Sequence, residues 1–304
     1  MKAPQLVFLG TPPAAVPSLT ALLEITEVRA VVTRPDRPRG RTTTPSPSPV
    51  KAAALAAGIE VHEATRGSHL NPGWFEGRAV AVVVAFGVLI PDSILMVPSH
   101  GFINVHFSLL PRWRGASPVT AAVAAGDSET GVTLMRLDSG LDTGPILAAS
   151  STPIGPEESG GELTERLSHI GAGLLVRTLP DYLGGLLPEI GQANDYATYA
   201  PRLGKADLRV NFDDDPATWA RKAKALAPRP GLSLELDSGT VRLLTIQPVD
   251  DALSPKELVV RDGRVLLGLN SGSIELSRVQ PAGRRAMTGS EWARGWQTTP
   301  SVKP

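Results

Sequence analysis

The chain of 304 residues predicts an α/β domain built on a mostly parallel sheet with helices on both faces, followed by a small antiparallel β-barrel. Three observations carry that expectation. Short apolar runs alternate with helical segments through the first half of the chain, as in parallel α/β sheets. Between Gly184 and Gly204 the periodicity fades into Gly, Pro, Asn, Tyr and Asp. Beyond it lie short β runs separated by Asp237-Ser238-Gly239 and Asp262-Gly263, a spacing typical of small barrels. The length also favours two domains. They are expected at 1–186 and 207–304, joined by a linker at 187–206.

Gln5 to Leu9 reads as the first strand, Ala14 to Leu23 as a helix and Val28 to Thr33 as the second strand. After the first strand only Gly10 is present and prolines follow, so the glycine fingerprint of dinucleotide sites is missing. Arg34 to Pro49 is too rich in proline for helix or interior strand and reads as a long loop. Between Arg29 and Lys51 six basic residues face one acid, Asp36, which suits either a solvated surface loop or an arm that meets phosphates. Val50 to Ala57 predicts a helix, Ile59 to Val61 a short strand, and Ala79 to Ala85 a strand buried on both faces. Phe102 to Phe107 is the next strand, Ala116 to Ala125 a helix, and Gly131 to Leu137 and Ile146 to Ile154 two more strands. Leu163, Leu167, Ile170, Leu174 and Leu175 mark an amphipathic helix from Glu162 to Leu183. The second domain offers a helix at Pro216 to Leu226, then strands at Leu232 to Leu236, Val241 to Ile246, Glu257 to Val260, Arg264 to Leu269 and Ser273 to Leu276.

Lys plus Arg and Asp plus Glu number 30 each, so any polyanion must be met by a local patch. The absence of cysteine excludes disulfides and thiolate chemistry and fits a cytoplasmic protein. The early apolar run, Leu6 to Leu9, is too short for a signal peptide, and the longest, Ala79 to Ile90, is too short for a membrane span. His62, His69, His100 and His169 lack metal-ligand spacing, so no metal is expected. Gly-x-Ser-x-Gly is absent as well, which disfavours a serine hydrolase.

Asn104 and His106 stand two apart on the strand that begins at Phe102, and residues two apart share a face. Asp142 lies in the glycine-bounded loop Gly140-Leu141-Asp142-Thr143-Gly144. An amide can steady a carbonyl oxygen as it gains charge. An imidazole with a carboxylate can move the protons of an attacking and a departing amine. That set suits acyl transfer between nitrogens. On residues alone a structural histidine and a simple Asp turn remain open.

The run Asn104-Val105-His106-Phe107-Ser108-Leu109-Leu110-Pro111-Arg112-Trp113-Arg114-Gly115, followed by Gly140 to Gly144, closely resembles the signature of formyltransferases that use 10-formyltetrahydrofolate. Pro35-Asp36-Arg37-Pro38, Gly40-Arg41, Pro47 to Lys51, and Gln280 to Met287 resemble the methionyl-tRNA formyltransferase branch. The resemblance runs from Leu6 to about Met287. It implies a Rossmann-like domain followed by an OB-like barrel, formyl transfer from 10-formyltetrahydrofolate to initiator methionyl-tRNA, and a cytoplasmic enzyme without metal, a monomer by default. Another formyltransferase acting on an amino sugar nucleotide or small amine, or an idle folate- or RNA-binding module, is the alternative. The implied catalytic residues are Asn104, His106 and Asp142. The implied folate contacts are Phe86, Gly87, Val88, Leu89 and Ile90 with Ser108, Leu109, Leu110 and Pro111. For tRNA they are Arg37, Arg39, Arg41, Lys205, Arg284 and Arg285. The Arg34 to Pro49 loop matches an insertion that closes over the tRNA acceptor end. Three departures stand out. Phe107 replaces a usual small residue, which predicts a tighter or shifted site floor; Thr42, Thr43 and Thr44 stand where lysines are common; and Leu226 to Pro230 lacks a usual aromatic.

Overall fold

The computed structural model describes residues 4–38 and 43–303. They form two compact units. The first holds the residues through Pro118, then Glu129–Pro153 and Thr164–Pro201; the second holds Val119–Ser128, Ile154–Leu163 and the residues from Arg202 onward.

The first unit is a seven-stranded sheet in the spatial order Glu60–Glu63, Glu27–Thr33, Gln5–Gly10, Val80–Val84, Phe102–His106, Glu129–Arg136, Ile146–Pro153. The first five strands are parallel, and Glu129–Arg136 runs antiparallel to both of its neighbours, Phe102–His106 and Ile146–Pro153. The order reverses between Gln5–Gly10 and Val80–Val84, and in open α/β sheets ligands settle outside the carboxyl ends of strands near such a point. Gly10 closes the first strand in little space, because a Cβ there would lie 2.8 Å from the Phe8 ring and 3.0 Å from the Val84 carbonyl oxygen.

Alternation decides which residues meet the core. Val7, Leu9, Ala30, Val32, Ala81, Val83 and Phe102 share one buried cluster with Leu70, Phe75, Ile94 and Leu95. Phe75 and Phe102 pack with ring centroids 5.2 Å apart. Asn104 and His106 have the same parity as Phe102, so the strand passes from apolar core to polar end on that face. Val105 and Phe107 point the other way, toward Gly171 in the helix Gly160–Leu183, where an added Cβ would sit 2.8 Å from Val105 Cγ1 and 3.6 Å from the Phe107 ring.

Expected helices appear with small shifts of their ends. Pro49–Ala56 is capped by Ser48, whose hydroxyl accepts from the Lys51 N–H at 2.9 Å, and Pro49 takes the first turn, where a missing N–H costs nothing. The basic loop is more ordered at its base than its prolines suggest: Arg37–Pro38 pairs antiparallel with Pro45–Ser46. A two-residue edge ladder tolerates proline because few donors are needed. Arg39, Arg41 and Thr42 lie outside the described residues. Lys51 Nζ donates to Glu63 at 2.7 Å and to Asp36 at 3.0 Å, and the Glu63 hydrogen bond leads the interactions that raise its pKa. Arg29 pairs with Glu27 at 2.7 Å, and Arg34 donates to the Gly87 carbonyl at 3.0 Å. Much of the charge counted in this stretch is therefore spent locally.

The second unit is an antiparallel sheet ordered Leu232–Leu236, Gly239–Val249, Gly272–Pro281, Arg264–Leu269, Leu258–Arg261, with Met287–Thr288 also on Gly272–Pro281. Two of these strands extend well beyond the expected Val241 to Ile246 and Ser273 to Leu276. Their extensions include residues such as Gln247 and Pro248 that face outward, and an apolar pattern cannot register those. Register shifts between Leu243 and Ile246 bend the sheet locally. The helix Pro216–Leu226 seats Trp219, Ala223 and Leu226 in a core with Leu234, Leu243, Ile274 and Val279. Trp219 Nε1 donates to the Asn211 carbonyl at 2.8 Å, which keeps the indole dipole satisfied inside. Among the described residues no helix is long and apolar enough to cross a membrane.

Gly171→Val should overpack the strand face carrying Val105 and Phe107 and cost about 1–3 kcal/mol, read as a lower urea midpoint with unchanged slope. Asp215 caps Pro216–Leu226: its carboxylate accepts from the Thr218 N–H at 2.8 Å and the Thr218 hydroxyl at 2.9 Å, and those bonds hold its pKa below the ordinary value. A carboxylate so lowered stabilises the fold while ionised and loses that contribution as pH falls through its folded value. The gap in urea midpoint between wild type and Asp215→Ala should therefore be full at neutral pH and narrow below about pH 4.

Candidate active site

Asn104 and His106 take their places at the end of the strand Phe102–His106, with His106 buried and Asn104 half-exposed. Asp142 arrives from the loop between Glu129–Arg136 and Ile146–Pro153. That loop is shaped by Asp138, whose carboxylate accepts from the Gly140 N–H at 3.1 Å and the Thr143 hydroxyl at 2.8 Å. Gly144 packs so closely on the Arg136 carbonyl that any Cβ would overlap it.

The three side chains converge. Asn104 Nδ2 donates to Asp142 Oδ1 at 3.3 Å, and His106 Nδ1 stands 3.7 Å from Asp142 Oδ2. The Gly115 N–H donates to Asp142 Oδ2 at 2.8 Å. His106 Nε2 lies 2.9 Å from the Trp113 carbonyl oxygen. A carbonyl only accepts, so Nε2 carries the proton and Nδ1 is the atom that faces the carboxylate. Asn104 has a second amide hydrogen beyond the one aimed at Asp142. The site thus offers a free amide donor, an imidazole nitrogen with a fixed orientation, and a carboxylate anchored by a backbone N–H.

The backbone around the carboxylate is held in costly conformations. Trp113 and Asp142 both have positive φ, 62° and 52°. Side-chain-bearing residues stay there only where the surroundings over-determine them. At Gly115 φ is 120°, and a Cβ would come within 2.6 Å of the Ala200 carbonyl oxygen, so glycine is required twice over.

Phe107 does not narrow the site floor in the way its sequence position predicts. It is buried on the face opposite Asn104 and His106, against Gly171 of the long helix, where the absence of a side chain makes room. The following segment is fastened to the neighbouring strand. Thr133 Oγ1 donates to the Ser108 carbonyl at 2.7 Å and accepts from the Leu110 N–H at 3.1 Å, while Leu109 packs onto Gly131. Ser108 itself is fully buried, its hydroxyl donating to the Arg112 carbonyl at 2.6 Å. Hence Leu109 and Pro111, both half-buried, are the members of this stretch whose side chains reach the surface.

At the end of Val80–Val84 the chain turns through Ala85 and Gly87, at φ 46° and 72°. Phe86 is buried in the apolar cluster, so its ring is committed to the core and not to a ligand surface. Leu89 is 82% exposed, and Val88 and Ile90 are half-buried beside it. A glycine-turned strand end with an unsheltered apolar rim fits a flat ring system such as a pterin. A cavity of about 600 Å³ lies toward the start of Phe102–His106 beside His100, Arg136, Asp138 and Tyr182, and none of the three converging residues lines it.

Arg37 is exposed on the short hairpin. Lys205, Arg284 and Arg285 are exposed in the second unit. The residues that sequence reasoning missed belong to the expected linker. Ile190 exchanges backbone hydrogen bonds with Ile146 at 2.8 and 3.0 Å, and Thr198 and Ala200 bond to the loop at Trp113 and Arg114. No periodicity marks such a strap, since its contacts are made by single polar groups.

Two family models match. Residues 6–179 fit the formyl transferase family and residues 202–297 its C-terminal domain. A methionyl-tRNA formyltransferase of Arthrobacter sp. is 42% identical over 296 residues, covering 96% of this chain and 96% of that protein. Another, of Acidothermus cellulolyticus, is 41% identical over 324 residues, covering 98% and 99%. Among solved structures, WlaRD, a sugar 3N-formyl transferase, superposes with a TM-score of 0.69 at 17% identity, covering 94% of this chain and all of that one, a likeness of fold. With matches to both domain models and relatives of this identity over nearly its whole length, the chain belongs to the formyl transferase family, among the methionyl-tRNA formyltransferases.

Proposed function

We propose that this chain transfers a formyl group from 10-formyltetrahydrofolate to the α-amino group of methionine esterified to initiator tRNA, and that Asn104, His106 and Asp142 are the acting residues. The observation that carries the assignment is the convergence of an amide, an imidazole and a carboxylate at one strand end, with hydrogen-bond or near-contact distances between them. The folate supplies an activated formyl carbon on a nitrogen that can depart as an amine. Gly87 to Ile90 offer the backbone and apolar rim for its ring, and Leu109 and Pro111 border the same approach.

Each residue then has one task. The second amide hydrogen of Asn104 meets the formyl oxygen as it gains negative charge, where a fixed donor is worth far more than one that must reorient. Asp142 accepts the proton of the attacking amine; a free α-amino group titrates near pKa 7.7 to 8.0, so a carboxylate at hand helps at neutral pH. Its Gly115 bond holds Oδ2 in place during the transfer. His106, tied through Nε2 to Trp113, keeps Nδ1 toward that carboxylate and relays the proton toward the departing nitrogen. The balance is simple: one C–N bond forms, one breaks, and the proton lost by the attacking amine goes to the leaving one.

Arg37, Arg39 and Arg41 on the loop and Lys205, Arg284 and Arg285 in the second unit are the proposed phosphate contacts. Such contacts position the tRNA without reading its sequence. The reading puts the enzyme in the cytoplasm and treats it as a monomer.

Asp142→Asn and Asn104→Ala should each remain folded, with at most a modest drop in unfolding midpoint, and lose about 100-fold or more in turnover. The assay is radiolabelled formyl transfer with methionyl-tRNA and an amino sugar nucleotide side by side. Near-normal turnover in either variant would remove that residue from the chemistry, and transfer to the sugar alone would overturn the substrate. Binding of initiator methionyl-tRNA should weaken steeply with salt, and Arg284→Ala/Arg285→Ala should lower the slope of log K against log salt by about one to two. A salt-insensitive affinity would contradict phosphate contacts.

A further inference from the structure

The segment expected to be a linker carries one side chain that holds the backbone of the Asp142 loop without touching the carboxylate. Gln192 Nε2 donates to the Asp142 backbone carbonyl at 2.9 Å and to the Gly144 carbonyl at 2.7 Å. Gln192 Oε1 accepts from Arg114 Nε at 3.0 Å and Arg114 Nη2 at 2.8 Å. Both amide hydrogens and the oxygen are therefore engaged. Turning the amide over would set its NH2 against a guanidinium and its oxygen against two carbonyls, so the orientation is fixed by its partners. Arg114 is only 2% exposed, and Asn194 Oδ1 takes a further bond from its Nη2 at 3.0 Å. A buried guanidinium needs such acceptors.

The two loops that Gln192 joins are the two that meet at the carboxylate. Arg114 adjoins Gly115, whose N–H anchors Asp142 Oδ2, and follows Trp113, whose carbonyl orients His106. Asp142 and Gly144 belong to the loop that brings the carboxylate. Asp142 sits at positive φ, a conformation that a freed loop would leave. We propose that Gln192 is a positioning residue for formyl transfer: it clamps the Asp142 loop to the Arg114 loop and so holds carboxylate, imidazole and amide in register. This rests on Asp142 being catalytic.

The test compares Gln192→Leu, Gln192→Glu and Asp142→Asn, alone and combined, in the full-length protein. Gln192→Leu removes all four bonds; Gln192→Glu keeps the acceptor facing Arg114 and loses both donors to the loop, so it is the variant to use if the first fails to fold. Each should lower kcat about 10- to 100-fold while KM for methionyl-tRNA and for 10-formyltetrahydrofolate moves less than about threefold, since misplacement of an acting group costs rate and not binding. In the Asp142→Asn background the Gln192 substitutions should add little, as expected when one residue acts through another. A kcat within about threefold of wild type for both Gln192 variants, a loss confined to KM, or losses that multiply in the double variants would overturn the clamp. If Asp142→Asn alone keeps near-normal turnover, the catalytic assignment falls and the clamp with it, which separates that failure from a failure of Gln192 alone.

Discussion

The carboxylate of Asp142 is the point on which the rest of the proposed active site depends. It draws together a strand end, a turn after that strand and a loop from the antiparallel edge of the sheet, through Asn104, Gly115 and the facing Nδ1 of His106. An ionised carboxylate in a half-sheltered site must find donors or pay for lost water. Here the donors are the Asn104 amide and the Gly115 N–H, while the unprotonated Nδ1 of His106 faces the same carboxylate. In the proposed reaction the Asn104 contact would serve structure and reactivity together.

That economy shifts the structural burden outward. The loops around the carboxylate adopt positive φ at Trp113, Gly115 and Asp142. A strap at Ile190 to Ala200 meets the Trp113–Arg114 loop through Gln192, Thr198 and Ala200, the Asp142 loop through Gln192, and the sheet edge through Ile190. A segment without secondary-structure periodicity thereby does what a helix or strand does elsewhere. Its polar groups are bonded one by one to backbone groups that would otherwise be orphaned.

The sheet supplies the remaining order. Its parity puts Phe102 in the core and Asn104 and His106 beyond it on the same face, while Val105 and Phe107 lie under the long helix. A bulky residue at Phe107 is therefore accommodated by Gly171, not by the site. Around the basic hairpin, Lys51 and Arg34 bond to Asp36, Glu63 and the Gly87 carbonyl, and Arg37 stands exposed.

Much of this was legible in residues alone. The alternation of apolar runs and helices specified the parallel sheet, because burial on both faces demands continuous Val, Ile and Leu. Turn residues marked the antiparallel second unit. The spacing of Asn104 and His106 put them on one face, because a strand repeats every two residues. Tertiary structure alone decided where Phe107 points in space, how Gly115 bonds the Asp142 carboxylate, and that Gln192 bonds both the Asp142 loop and Arg114. Those outcomes depend on contacts between residues distant in the chain, made by single hydrogen bonds and by the room a glycine leaves, and neither carries a period that a sequence could display.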